Sequence, residues 1–141
     1  MRLWHYRIVP ALPNSQLVAQ WRELNSIFTK RPNHILINYV YASDKVDVHY
    51  YSLIVINELK KRGYNVHLEH LMGFCTGLTR EQLEITPENN PDFVPFKGIH
   101  TPEYATICYY NLLEKFRRGQ KDFSSAEMNR IYEITKKENQ E

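Results

Sequence analysis

Apolar residues recur at helical spacing along most of the chain. Leu17, Val18, Trp21, Leu24 and Phe28 fall on one stripe, the pattern of an amphipathic helix laid against a core. Asn14 or Ser15, just after Pro13, can cap its start. Pro32, within Lys30-Arg31-Pro32-Asn33, ends the run because it cannot continue a helix without strain. A helix over 14–28 follows. At about 100° per residue, Gln16, Gln20 and Glu23 collect on a different side of it, and Arg22 takes the opposite shoulder of the apolar stripe.

Ser43 and Asp44 open a second helix, expected over 44–62. Its run Leu53-Ile54-Val55-Ile56 covers every face, so it belongs in the centre of the fold. Lys60, Lys61 and Arg62 suit its C-terminal dipole, and Gly63 is its stop. Residues 64–100, broken by Gly73, Gly77, Pro87, Pro91, Pro95 and Gly98, read as one long irregular connection. Thr101-Pro102-Glu103 is a helix start, with Ala105, Cys108, Leu112 and Phe116 as the core stripe and Gly119 as the end. Ser124 and Glu127 form a capping box for a last helix near 124–137, before a polar tail.

The chain is therefore expected to be all-α, one domain over 1–141 with its helical core in 1–122 and a C-terminal helix and tail in 123–141. The alternative is α+β, with the β-branched and aromatic run 35–41 as a strand.

Charge adds one asymmetry. The net charge is only +2, but residues 1–70 hold nine basic against five acidic side chains and residues 71–141 hold nine against eleven. A basic excess in one half suits a one-sided anion-binding surface, and equally an unevenly charged solvated one. The ten tyrosines suit a core or a stacking surface. Two cysteines without a CxxC exclude a disulfide framework. No apolar run approaches the ~20 residues of a membrane span, and the N-terminus lacks the apolar stretch of a signal peptide, so a cytoplasmic location is expected.

Candidate chemistry is sparse. His67 and His70 flank Glu69 without the spacing of a zinc motif, so no metal is expected, and no phosphate-cradling loop or serine-hydrolase elbow is present. That leaves Glu23 beside Arg22, which on pattern alone suits a surface ion pair as well as an acid with a cationic neighbour.

The segment Gln16-Leu17-x-x-x-Trp21-Arg22-Glu23-Leu24, ending at Phe28, resembles the pyrimidine dimer DNA glycosylase (endonuclease V-like) family. Met1-Arg2-Leu3-Trp4-His5, with Leu12-Pro13, is similar to a bacterial branch of it. Asn33-His34 followed by Tyr39, and Lys61-Arg62-Gly63-Tyr64-Asn65, resemble further shared segments, and Phe96-Lys97-Gly98 before Pro102 weakly echoes another.

The resemblance implies a DNA glycosylase with abasic-site lyase activity on double-stranded damaged DNA, without metal or organic cofactor, nucleoid-associated when bound. An N-terminal amine forms an imine with the deoxyribose, and an α-amine suits this because it is far less protonated at neutral pH than a lysine. Phage members expose a threonine after losing methionine. Here Arg2 is too bulky for that removal, so Met1 is the implied nucleophile, with Glu23 as general acid/base. Arg22, Gln16 and Arg2 match or adjoin the DNA-contacting positions, and Ser26 stands where the family has a basic residue one turn after Glu23. His5 and His34 are candidates to line the site. Lys97, Lys115, Arg117, Arg118 and Lys121 are candidates to extend a phosphate track. Two other functions stay open: a non-catalytic nucleic-acid-binding module of the same fold, and a helical protein-interaction domain using its tyrosines.

Overall fold

The computed structural model describes residues 3–29 and 43–140. Met1, Arg2, the run from Lys30 to Ala42 (with His34 and the 35–41 segment) and Glu141 lie outside the described residues. Within them the fold is all-α. A 3-10 turn at Val9–Ala11 leads into α1 (Asn14–Thr29), followed by α2 (Lys45–Lys61), α3 (Glu69–Phe74), α4 (Arg80–Leu83), α5 (Pro102–Arg117) and α6 (Ser125–Glu138), with no strand among the described residues.

The four long helices match the expected spans to within a residue at each end, and for α2, α5 and α6 the end signals are local. Gly63 and Gly119 end α2 and α5 in the left-handed conformation, at φ +90° and +86°. Thr101 and Ser124 cap α5 and α6 by accepting from the N–H groups of Tyr104 and Glu127. In α6 the returning Glu127 carboxylate takes the Ser124 hydroxyl, at 3.0 Å. The cap of α1 comes from across the fold. Asp122, in the α5–α6 turn, accepts from both Ser15 N and Ser15 Oγ, at 2.6 and 2.7 Å.

The connection over 64–100 is less irregular than its glycines and prolines imply. It contains α3 and α4, helices too short to show a period. α3 holds because Leu71 and the adjoining Cys75 bury against Ile56 of α2. α4 holds because Thr79 and Gln82 form a complete capping box.

α2 is the central helix, as its all-round apolar run requires: Val48, Tyr50, Tyr51, Val55, Ile56 and Leu59 are all buried. α1 packs on α2 and α3, and α5 pairs with α6. The main core joins Leu17, Leu24 and Ile27 of α1 to Tyr51 and Val55 of α2, Cys108 and Leu112 of α5, and Met128 and Ile131 of α6. Burying each large apolar side chain contributes roughly 1.5–3 kcal/mol. α1 sits a little rotated from its apolar stripe. Leu17, Gln20, Leu24 and Ile27 form the buried face, while Val18, Trp21 and Phe28 are only partly buried beside the main core.

Arg62 locks the entry to α1 against the end of α2. Its guanidinium donates to Leu12 O (2.7 Å), Asn14 Oδ1 (2.8 Å) and Pro10 O (3.0 Å), and pairs with Glu58 at 2.8 Å. This arginine is therefore a structural clamp, beyond the dipole complement its sequence position suggests.

Candidate active site around Glu23

Two elements meet at Glu23: α1, which carries it, and the leading segment that begins at Leu3. The leading segment is inserted deeply, with Leu3 fully buried and Trp4 nearly so. Its backbone is held by side chains from three helices. Tyr104 of α5 donates its hydroxyl to Leu3 O at 2.6 Å. The Tyr51 hydroxyl of α2 donates to Trp4 O at 2.6 Å and lies 3.0 Å from Gln20 Oε1. Trp4 N donates to Gln20 Oε1 at 2.7 Å. Such bonds let a non-helical segment be buried without stranding its polar groups.

Gln20 carries the connection onward. Its Nε2 donates to Glu23 Oε2 at 3.2 Å, one helical turn along α1. The two bonds measure 2.7 and 3.2 Å and the amide between them spans about 2.3 Å. Trp4 N therefore lies within about 8 Å of the Glu23 carboxylate. Gln20 is 1% exposed, although the sequence sets it on the polar side. Its amide is satisfied by residues 16 positions back and three ahead, which is what permits its burial. Neither Gln20 nor Tyr51 stands out in the sequence as a site residue. The one available signal was the helical register of Gln16, Gln20 and Glu23.

The remaining candidates divide into separate groups. Arg22 is exposed on the wall of a shallow groove of about 340 Å³ that Trp21, Asn25, His67, Glu69 and His70 also line. The His70 ring lies 3.2 Å from Asn25 Oδ1. Gln16 sits in the first turn of α1, its Nε2 donating to Ser15 Oγ at 3.3 Å. The Ser15–Asp122 bonds bring Lys121 and Arg118 to that end, around a depression they line with Ser15. Arg117 is exposed at the last turn of α5, and Ser26 is half-buried in α1.

Lys97 is exposed on a turn fixed elsewhere. Phe96, at φ +55° with its ring buried, donates its N–H to Asp47 Oδ1 at 3.3 Å and leads that turn against α2. His5 is 2% exposed and stacks on Tyr6 and His100 at 4.8 and 5.6 Å between ring centres. Burial lowers His5 to about 4, with the Arg7 charge adding to it and main-chain contacts to His100 and Thr101 opposing it. Burial, and then the charge of His5, lower His100 to about 3. Met1, Arg2 and His34 lie outside the described residues.

Among the described residues no three His, Cys, Asp or Glu side chains gather where they could hold a metal ion, and no helix is long and apolar enough to cross a membrane.

Fold and site together define a helical domain whose leading segment is pinned beside a carboxylate. A family model for pyrimidine dimer DNA glycosylases matches residues 1–72, half of the 141-residue chain, taking in the leading segment, α1 and α2. The chain belongs to the pyrimidine dimer DNA glycosylase family. No curated protein and no solved structure matches it.

Proposed function

We infer that the protein is a DNA glycosylase with abasic-site lyase activity on damaged double-stranded DNA, in which the Met1 amine is the nucleophile and Glu23 the acid/base. The observation that carries this reading is the bonded path from Trp4 N through Gln20 to Glu23. Three residues precede Trp4 N, and fully extended they span roughly 10 Å. An amine at residue 1 is thus within chain reach of a carboxylate about 8 Å from Trp4 N.

The chemistry follows from that pairing. The neutral amine attacks C1′ of the damaged nucleotide, the C1′–N bond breaks, and the base leaves with a proton. The sugar ring opens as the C1′–O4′ bond breaks, O4′ takes a proton, and C1′ is left as an imine to the amine nitrogen. Glu23 removes a proton from C2′, the C3′–O3′ bond breaks, and the strand is cut. Water then hydrolyses the imine and frees the protein. A carboxylate beside C1′ also stabilises the positive charge that develops as the base departs.

Phosphate contacts fall to Arg2, Arg22, Gln16, Arg117 and Lys121, with Lys115, Arg118 and Lys97 extending the track. Arg22 lies at the middle of α1 and the Lys121 group beside its first turn, so both offer cations along one helix to a phosphate backbone. His5 anchors the leading segment by stacking on His100, and His34 belongs to the same candidate set.

Glu23→Gln is the direct test. It should abolish strand cutting while leaving affinity for an abasic duplex intact. Equal cutting by the two proteins refutes the assignment. Salt-dependent binding without cutting by the wild type indicates a binding module instead, and indifference to DNA at physiological salt a protein-interaction domain.

A further inference from the structure

We propose that Gln20 is a positioning residue that couples the leading segment to the Glu23 carboxylate. This rests on the assignment of Glu23 as acid/base, and it adds a residue to which the family resemblance gives no role.

A buried amide must find partners for both of its ends. Gln20 is 1% exposed, so its oxygen and its NH₂ group need partners inside the protein. The oxygen accepts from Trp4 N at 2.7 Å and lies 3.0 Å from the Tyr51 hydroxyl, while Nε2 donates to Glu23 Oε2 at 3.2 Å. These partners fix the orientation. A flipped amide would set NH₂ against the Trp4 N–H, and its carbonyl against a carboxylate. One rigid planar group therefore ties the backbone of residue 4 to one oxygen of residue 23.

The nearest replacements cannot do both jobs at this position. Glutamate has the acceptor but, when ionised, no donor for Glu23. Serine and asparagine lack the length, and leucine lacks both groups. The bond to a charged carboxylate is also the stronger kind. A shift of the leading segment is therefore transmitted to the carboxylate plane through the Gln20 amide. The nucleophile's tether and the acid keep a fixed relation before any DNA arrives.

Two variants separate the halves of this role in the full-length protein. Gln20→Glu still accepts from Trp4 N–H but sets a second carboxylate against Glu23 in place of the amide donor. Gln20→Leu loses both connections. Three quantities are read: hydrogen-exchange protection of the Trp4 amide by NMR, affinity for an abasic duplex, and the single-turnover rate of borohydride trapping at saturating protein. For Gln20→Glu the Trp4 amide should stay protected and affinity should hold, while trapping slows by roughly tenfold or more, the size expected for losing a hydrogen bond to a charged group. Gln20→Leu should lose Trp4 protection as well.

Trapping at the wild-type rate in Gln20→Glu overturns the positioning role and leaves the proposed activity standing. Undiminished Trp4 protection in Gln20→Leu overturns the anchoring half. A wild type that forms no adduct, although its Trp4 protection depends on Gln20, refutes the activity itself and with it any catalytic purpose for the coupling.

Discussion

Mild acid should destabilise this protein through the histidine stack under its leading segment. His5 and His100 are 2% and 3% exposed and stack at 5.6 Å. Burial, the main cause in both, holds them at about 4 and about 3 against an ordinary 6.5. The native state thus keeps both rings neutral, whereas each unfolded ring binds a proton as the pH falls through 6.5. Their contribution is complete above that value and is lost as the pH falls toward about 4 and about 3. At about pH 5 linkage puts the loss at about 2 kcal/mol for each ring, a large share of the roughly 5–15 kcal/mol that stabilises a typical domain.

His49, lowered by burial, acts in the same direction. Asp47, raised by burial, opposes it. Asp122, where two bonds from Ser15 outweigh a burial penalty to lower the carboxyl, loses its contribution only at more acid pH. Urea unfolding at about pH 7.5 and about pH 5 measures the difference. The expected drop is about 4 kcal/mol in the wild type, and about half of that in His5→Phe or His100→Phe, which keep a ring but cannot titrate. Equal wild-type stability at the two pH values refutes the reasoning, as does an undiminished drop in both variants.

Three further outcomes follow from the same structure. Arg62→Met removes the clamp on the α1 entry and leaves the half-shielded Glu58 without its cation, so it should cost about 3 kcal/mol, read by urea unfolding. Gly63→Ala should cost about 1 kcal/mol. A Cβ there meets nothing within 4 Å, so the whole penalty is the φ of +90°. Arg22→Ala and Lys121→Ala should each lower the slope of log affinity against log salt by about 1 if each meets a phosphate. Unchanged slopes in fluorescence-anisotropy titrations would remove them from the DNA track.

The four long helices were legible because each carries some local signal: an apolar stripe or run, the caps Thr101 and Ser124 of α5 and α6, or the terminal glycines Gly63 and Gly119 of α2 and α5. α3 and α4 were not, since helices of six and four residues show no period and depend on Ile56 and on the Thr79–Gln82 box. Glu23 was visible through its neighbours Trp21, Arg22 and Leu24. Gln20 was not, because a glutamine in register with Gln16 and Glu23 reads as solvent-facing until Trp4 and Tyr51 arrive from elsewhere in the chain. The cap of α1 was hidden for the same reason, its acceptor Asp122 lying 107 residues away. Arg62 looked like a dipole complement because its carbonyl partners at Pro10 and Leu12 lie some 50 residues upstream.

The proposed mechanism turns on an amine at the start of the chain attacking the sugar beside Glu23. Borohydride reduction on a duplex with one abasic site, followed by proteolysis and mass spectrometry of the adduct, tests it most directly. A single covalent link at residue 1 is expected. A link through a lysine side chain, or no link at all, contradicts it.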